Sequence, residues 1–418
     1  MITAKDTKIR LTVMNFLQFF MWGAWLISMG RYFGNVMHFD GAQIGNLFAT
    51  GGIASIIMPA LVGIVADRWV NAERLLGLCH ALSAGLLILL GLLPAGTPYG
   101  TVFLVVLLLN CFYMPTLSLS YTVSYSALNQ VGEDVVKAFP PIRVWGTVGF
   151  ILAMWLVNLL GFMDSPNQFF LGAGVALCLA FYSITLPKVP HGLGKGEKKG
   201  LLSSFGLDAL VLLKDTRMAI FFLFSILLGA ALQITNAYGN LFLDSFGTQE
   251  LFKESFAVRY PNILLSLSQI SETLFILAIP FFLKRFGIKN VMLMSFFAWF
   301  LRFGLFSIGD PGFPGIIALL LSMVVYGMAF DFFNISGSMF VESETPASMR
   351  ASVQGLFILA TNGLGAVIDS SLSGQVVQAF TTANSVQWST VWAIFAGYAL
   401  ITGILFLVLF RYKPQPSH

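Results

Sequence analysis

Residues 101–125 read TVFLVVLLLNCFYMPTLSLSYTVSY, and this stretch decides the class of fold. It contains no charged residue, and it exceeds the ~20 apolar residues that a helix needs to cross a bilayer. The chain of 418 residues continues the pattern, with 57% hydrophobic and 10% charged residues, against about 25% charged in soluble domains. This composition excludes a soluble enzyme, a disordered chain and a nucleic-acid binder. Three Cys residues also exclude a disulfide scaffold. We therefore predict an all-α integral membrane protein.

Similar apolar runs on both sides of this stretch predict twelve spanning helices in total. They cover approximately residues 11–33, 43–65, 75–95, 101–125, 143–162, 168–187, 217–243, 261–283, 290–308, 313–338, 351–377 and 389–410. The sequence thus predicts an N-terminal six-helix bundle (1–187), a cytoplasmic linker (188–216) and a C-terminal six-helix bundle (217–418). The linker carries the basic stretch Lys195-Gly-Glu-Lys-Lys199, for which binding of anionic lipid is an alternative role.

The basic residues are distributed unequally between the two sides of the predicted membrane. Of the 23 Lys and Arg residues, 18 lie at the termini and in even-numbered loops, and three lie in odd-numbered loops. Arg143 and Arg302 fall within spans or at their edges. By the positive-inside rule, both termini are expected to face the cytoplasm.

Weak internal similarity relates the two predicted bundles. Residues 143–153, RVWGTVGFILA, align with residues 350–360, RASVQGLFILA, and Gly23-Ala-Trp-Leu26 aligns with Gly229-Ala-Ala-Leu232. Repeats of this kind commonly enclose a substrate site near the bilayer midplane, and rocking of one repeat against the other gives alternating access. We therefore expect a transporter.

The loop after the second predicted span reads Gly63-Ile-Val-Ala-Asp67-Arg68. It resembles the G-x-x-x-D-R signature of the major facilitator superfamily, at its usual place, which implies that superfamily's fold of twelve helices in two six-helix halves. A carboxylate at a helix end accepts bonds from helix N-termini and Arg side chains. We therefore predict that Asp67 and Arg68 form a conformational latch; the alternative is a loop that only sets topology.

Among the ionisable residues inside the predicted spans or at their edges, five stand out: Arg143, Glu272, Arg302, Asp331 and Asp369. Facing lipid unpaired, each would cost roughly 2.5–3.5 kcal/mol, or on the order of 12–17 kcal/mol together. They must therefore pair, meet water or, for the acids, hold a proton. Three acids against two bases leave at least one acid as a protonation site. Pairing of Asp331 with Arg302 is one option, and Asp369 is left without an assigned role.

Polar and aromatic residues recur at helical spacing around these charges. The residues that share a helical face are Arg143, Thr147 and Phe150 on span 5, Gln233 and Asn236 on span 7, Gln269 and Glu272 on span 8, and Tyr326 and Phe330 on span 10. This set suits a flat, polar, largely uncharged ligand, because rings stack on Phe and Tyr while hydroxyls bond to amides and a carboxyl. The alternative is that the polar groups only join helices to one another.

Motifs for metal or nucleotide chemistry are absent from the sequence. It contains no C-x-x-C, H-E-x-x-H or Walker A motif, and His80 beside Cys79 is interpreted as a packing residue. We expect no enzymatic activity, no metal and no cofactor other than a co-transported proton.

Four longer motifs resemble those of the bacterial nucleoside:H+ symporter family of the major facilitator superfamily. They are Phe139-Pro-Pro-Ile-Arg143-Val-Trp-Gly-Thr147-Val-Gly-Phe150, Gly229-Ala-Ala-Leu-Gln233-Ile-Thr-Asn236, Ser268-Gln269-Ile-Ser-Glu272 and Val325-Tyr326-Gly-Met-Ala-Phe330-Asp331-Phe-Phe-Asn334. The resemblance implies proton-driven uptake of purine and pyrimidine nucleosides across the bacterial inner membrane. It implies that the nucleoside is bound by Arg143, Thr147, Phe150, Gln233, Asn236, Gln269, Glu272, Tyr326 and Phe330, and that Asp331 is a candidate for proton coupling. We add the hypothesis that either Asp331 or Glu272 releases the coupled proton on the cytoplasmic side.

Two other transporter classes remain open from the residues alone. A sugar:H+ symporter would show Gln, Asn and Trp but would have less need of the Phe and Tyr pair. A drug:H+ antiporter would need a wide apolar cavity with an acid for cationic ligands. In each case the expected partners are a small molecule, protons and the lipid bilayer, with no nucleic acid, and the chain is expected to be a monomer.

Overall fold

The computed structural model of the protein describes residues 3–189, 207–231, 233–346, 349–382 and 385–412. Within these ranges the chain is almost entirely helical, and the β pairing consists of one isolated bridge between Thr381 and Val386. Contacts divide the chain into two compact units, residues 1–199 and 200–418. The division falls inside the predicted linker 188–216, whose residues 190–206 lie outside the described ranges.

The first unit contains six spans, of which the first is broken. Span 1 consists of Ala4–Gly23 and Leu26–Asn35, span 2 of Gly41–Arg68, span 3 of Ala72–Leu92, span 4 of Tyr99–Gln130, span 5 of Val135–Leu159 and span 6 of Asn167–Tyr182.

The second unit contains six more spans, and its first span is also broken. Span 7 consists of Thr216–Gly229 and Ile234–Ser245, spans 8 and 9 share the helix Pro261–Ile308, span 10 is Gly315–Glu344, span 11 runs through Arg350–Ile358, a π-helical turn Leu359–Gly365 and Ala366–Ala379, and span 12 is Trp388–Leu409. A short helix, Phe256–Arg259, precedes span 8.

The helix Pro261–Ile308 contains two spans. Its 48 residues would extend about 72 Å at 1.5 Å per residue, more than twice the ~30 Å hydrocarbon core of a bilayer. Gly287 breaks the helical path with φ 75° and ψ 167°, a conformation that glycine adopts without a Cβ clash. In the described part of the chain, eleven helices are long and apolar enough to cross a membrane. Pro261–Ile308 is one of these eleven and contains two spans, so the number of spans is the predicted twelve.

Side-chain caps satisfy free N–H groups at the starts of spans 2 and 7. At the start of span 2, Asp40 Oδ1 accepts the Gln43 N–H at 2.8 Å, and the Asp40 N–H donates to Gln43 Oε1 at 3.0 Å. This reciprocal capping box fixes the first turn of the span. Asp215 caps span 7 in a simpler way, accepting the Arg217 and Met218 N–H groups at 2.8 and 3.1 Å.

The two glycines of the internal repeat occupy matching places in the two units. Each lies immediately before the break in the first span of its unit. A Cβ at Gly23 would lie 3.0 Å from the Cα of Phe150 on span 5, and a Cβ at Gly229 would lie 2.9 Å from the Cα of Thr361 on span 11. Only glycine permits such close backbone crossings, so the sequence repeat corresponds to a repeated helix crossing.

Candidate functional site

The predicted ligands divide between the two units. Arg143, Thr147 and Phe150 belong to the first unit, and the other six belong to the second. The two groups are described separately below.

The guanidinium of Arg143 lies over an aromatic ring that the sequence motifs did not identify. Its guanidinium carbon is 3.9 Å from the centroid of the Phe19 ring, and its Nε donates to the Tyr121 hydroxyl at 3.2 Å. A Cβ on Gly146, one turn along span 5, would lie 2.8 Å from Arg143 Nη1 and 2.6 Å from Phe19 Cδ2. Gly146 therefore leaves the space in which the cation and the ring meet, an arrangement worth about 0.5–2 kcal/mol.

Phe150 continues the same face of span 5 one turn further. Its ring meets the edge of Trp22 at 6.0 Å with an interplanar angle of 80°, and Trp22 in turn packs on Tyr113 at 5.4 Å. Thr147 lies between Arg143 and Phe150 on this face and is half-buried. The predicted face of span 5 is thus backed by aromatic side chains of spans 1 and 4.

Behind these aromatic rings lies a buried hydrogen-bond network. His80 Nε2 and Gln18 Oε1 are 2.7 Å apart, and Gln18 Nε2 donates to Thr116 Oγ1 at 2.7 Å. The Tyr113 hydroxyl donates to the Gln18 carbonyl at 3.2 Å. His80 is fully buried in this network and joins spans 1, 3 and 4, as expected of a packing residue.

In the second unit, the break in span 7 places two predicted ligands at the start of a new helix. Gln233 is the N-cap of Ile234–Ser245, and Asn236 follows one turn later. Asn236 Nδ2 donates to Gln233 Oε1 at 3.0 Å. The predicted pairing of these two amides on one face is therefore observed, although the sequence indicated a continuous helix over 217–243.

Asp369 has a structural partner at this break. Its Oδ2 accepts the backbone N–H of Gln233 at 2.8 Å, and the residue is 2% exposed. A helix that starts inside a membrane has N–H groups that water cannot satisfy, so a buried carboxylate is a strong cap for it. The residue left unassigned by sequence thus anchors the segment that carries Gln233 and Asn236.

Spans 8 and 10 touch at the backbone beside Glu272. A Cβ on Gly327 would lie 2.6 Å from the Ser271 carbonyl carbon and 2.7 Å from the Glu272 nitrogen. Glu272 and Gln269 are both half-buried. The glycine that follows Tyr326 in the sequence motif therefore brings span 10 against the predicted ligands of span 8.

Tyr326 and Phe330 form the predicted aromatic face of span 10. Their ring centroids are 5.8 Å apart with an interplanar angle of 19°. Asp331 follows on the next position, is 4% exposed, and its Oδ2 has no hydrogen-bond partner in the described structure. A buried acid thus directly follows the stacked aromatic pair on span 10.

The proposed pairing of Asp331 with Arg302 is wrong. The Arg302 guanidinium donates to Ser268, Ser322 and Thr235 instead. Hydroxyl and carbonyl oxygens from neighbouring helices replace the carboxylate that charge counting had suggested.

The latch stays a prediction. Arg68 is exposed, whereas the side chain of Asp67 lies outside the described part of the structure. The acid with a defined partner in this region is Glu73, at the start of span 3, whose Oε2 accepts the Val189 N–H at 2.9 Å and which is 3% exposed. Glu73 therefore ties span 3 to the chain that leaves span 6.

The two arginines that are aligned in the internal repeat, Arg143 and Arg350, have different partners. Arg350, aligned with Arg143, forms an ion pair with Glu342 at 2.7 Å and donates to the Thr345 carbonyl. The described residues contain no group of three or more His, Cys, Asp or Glu side chains placed to hold a metal.

Comparison with known proteins places this arrangement in a family. The profile of the nucleoside H+ symporter family matches residues 5–415. Xanthosine permease of Escherichia coli strain K12 is 53% identical over 408 residues, covering 98% of this chain and 97% of its own, and nucleoside permease NupG of the same strain is 49% identical with the same coverage.

Solved structures agree with the sequence comparison. A crystal structure of nucleoside transporter NupG superposes with a TM-score of 0.91 at 49% identity, covering 98% of this chain and all of that one. A bacterial homologue of the human lysosomal transporter Spinster shares the fold, with a TM-score of 0.68 at 13% identity, covering 97% and 95%. The predicted fold class, an all-helical membrane protein of the major facilitator superfamily, is confirmed. The chain belongs to the nucleoside H+ symporter family.

Proposed function

We propose that this chain takes up nucleosides together with protons across the bacterial inner membrane by alternating access, and that the nine predicted residues bind the nucleoside. The observation that carries the proposal is the combination of the stacked Tyr326–Phe330 pair with the Gln233–Asn236 amide pair and the half-buried Glu272. A nucleoside offers a flat base for the rings and a ribose diol for a carboxylate and amides.

The same features disfavour the other two transporter classes. A hexose has no aromatic base and therefore has less need of the Tyr326–Phe330 face than a nucleoside has. An apolar drug cation would form no hydrogen bonds with the half-buried amides of Gln233 and Asn236 and would gain no affinity from them. The names of the similar permeases, for xanthosine and for nucleosides, support the nucleoside.

Asp331 and Glu272 are the candidates for proton coupling. Asp331 is buried and its Oδ2 lacks a hydrogen-bond partner in the described structure, and Glu272 is half-buried on span 8. Ionisable groups held inside a membrane in this way commonly belong to proton pathways. Entry of one proton along a membrane potential of 100 mV supplies about 2.3 kcal/mol, equivalent to a roughly 50-fold concentration ratio of nucleoside. One coupled proton is therefore sufficient for accumulation.

We also infer that the protein acts as a monomeric permease without enzymatic activity and without a cofactor beyond the co-transported proton. Both termini are assigned to the cytoplasm because 18 of the 23 Lys and Arg residues lie at the termini and in the loops of that side.

Uptake of radiolabelled uridine into proteoliposomes with an acidic exterior tests the substrate and the coupling together. We expect accumulation that collapses when a protonophore removes the gradient. Unlabelled xanthosine should compete for uptake, and glucose should not. Uptake that is unchanged by the protonophore would refute proton symport. Competition by glucose but not by nucleosides would refute the assignment of nucleosides as the substrate.

A further inference from the structure

Arg302 lies at the centre of the helices that carry the second unit's predicted ligands. It is located on span 9 and is 2% exposed. Its Nη1 donates to Ser268 Oγ on span 8 at 3.2 Å and to the Ser322 carbonyl on span 10 at 2.9 Å, and its Nη2 donates to Thr235 Oγ1 on span 7 at 3.3 Å. A single guanidinium thus connects span 9 to three neighbouring spans.

Two of these three hydrogen-bond acceptors lie next to a predicted ligand. Thr235 directly precedes Asn236, and Ser268 directly precedes Gln269. Arg302 also contacts a predicted ligand directly, because its guanidinium carbon lies 4.4 Å from the centroid of the Tyr326 ring. The arginine therefore touches one ligand and the immediate neighbours of two others.

The charge of Arg302 has no acidic partner among the described residues. Its hydrogen-bond acceptors are two hydroxyls and one carbonyl, and its Nε is buried without an acceptor. The rings of Phe306, at 5.3 Å, and Tyr326 supply the remaining stabilisation. Packing alone does not require such a group, since proteins in which apolar residues replace buried charged groups are often equally stable. A buried intramembrane charge therefore points to function.

We propose that Arg302 is a positioning residue for nucleoside recognition, which holds the Tyr326 ring and the Asn236 and Gln269 amides in one arrangement. This inference rests on the proposed function. The shape of the guanidinium is the essential property: it is planar, presents donors in several directions and stacks on rings, whereas the lysine ammonium is a compact point charge.

Arg302→Lys separates this role from a role of the charge alone. Lysine keeps the positive charge, but its single ammonium does not reach all three acceptors and also lie over the Tyr326 ring. We expect the KM for uridine to rise about tenfold or more while the saturated uptake rate stays within about threefold of wild type. A fold defect would instead lower the saturated rate with the KM unchanged.

The chain offers a matched control in the same pair of spans. Arg285 is exposed, also lies over a neighbouring aromatic ring, Phe286 at 5.8 Å, and is remote from the predicted ligands in sequence. Arg285→Lys should leave the uridine KM at the wild-type value. A second probe is Thr235→Val, which removes one acceptor and should raise the KM more than Thr235→Ser, which keeps the hydroxyl.

Hydrogen exchange of the ligand-free protein in detergent gives a readout that does not depend on the substrate. Arg302→Lys should increase amide exchange in peptides spanning 233–238 and 322–330, and Arg285→Lys should not. A uridine KM within twofold of wild type for Arg302→Lys, or unchanged exchange in both peptides, would overturn the proposal. If wild type transports no nucleoside at all, the proposed function fails while the exchange measurement still decides whether Arg302 orders these helices.

Discussion

Replacing Asp369 should weaken nucleoside binding although the residue is not among the predicted ligands. Its carboxylate accepts the Gln233 N–H at 2.8 Å inside the membrane, and Asp369→Ala removes that acceptor. Loss of an N-cap costs about 0.5–2 kcal/mol, and loss of a hydrogen bond to a charged group costs about 1.5–3 kcal/mol. We therefore expect the ordered form of the Gln233–Asn236 segment to lose about 1–2 kcal/mol of stability. If uridine binds only this form, its KM rises about 5- to 30-fold.

Asp369→Asn separates capping from a role of the negative charge. Asn keeps an oxygen acceptor and caps helices about as well as Asp, and it loses only the interaction of the charge with the helix dipole, about 0.3–1 kcal/mol. The expected rise in KM is therefore about two- to fivefold.

The assay is the initial rate of uridine uptake by proteoliposomes with equal amounts of reconstituted protein. Asp215→Ala is the matched control, because Asp215 caps the other half of span 7. It should lower thermal stability without changing the KM. If Asp369→Asn were as damaging as Asp369→Ala, the carboxylate charge would be the essential feature and the capping explanation would be wrong.

Three further substitutions test the geometry of the ligand groups. Gly327→Ala should nearly abolish uridine uptake, since its Cβ would overlap the span 8 backbone beside Glu272; wild-type uptake would contradict the close crossing. Gly146→Ala should raise the uridine KM several-fold by separating Arg143 from its ring, whereas Gly355→Ala, where a Cβ meets nothing within 4 Å, should leave it unchanged. Glu272→Gln should weaken uridine binding about tenfold or more, as expected when a charged hydrogen bond to the ribose is lost; an unchanged Kd in calorimetry would reject Glu272 as a ligand.

The spans were predictable because length and hydrophobicity decide membrane insertion locally. The run 101–125 and its counterparts identify helices without any knowledge of their neighbours. Helical spacing also assigned side chains to faces correctly, as the stacked Tyr326 and Phe330 and the bonded Gln233 and Asn236 show. These features depend on residues three or four positions apart on one helix.

The partners across helices were not predictable in the same way. Spacing places Arg143 on a face but does not indicate that Phe19, over a hundred residues earlier, lies beneath it. Counting charges left a pairing of Arg302 with Asp331 open, because a charge count does not include the two hydroxyls and one carbonyl on three other spans that accept from Arg302. The break in span 7 was also missed, since Gly229-Ala-Ala-Leu232 is apolar and the Asp369 carboxylate that caps the new helix lies far away in sequence.

Proton movement driven by the substrate tests the central claim most directly. Proteoliposomes containing the protein and a trapped pH-sensitive dye are prepared with no pH gradient and no membrane potential, and uridine is added outside. We predict acidification of the lumen that saturates with uridine, is absent in protein-free vesicles and is lost in Asp331→Asn or in Glu272→Gln. Entry of labelled uridine without any change in lumenal pH would contradict proton-coupled transport by this chain.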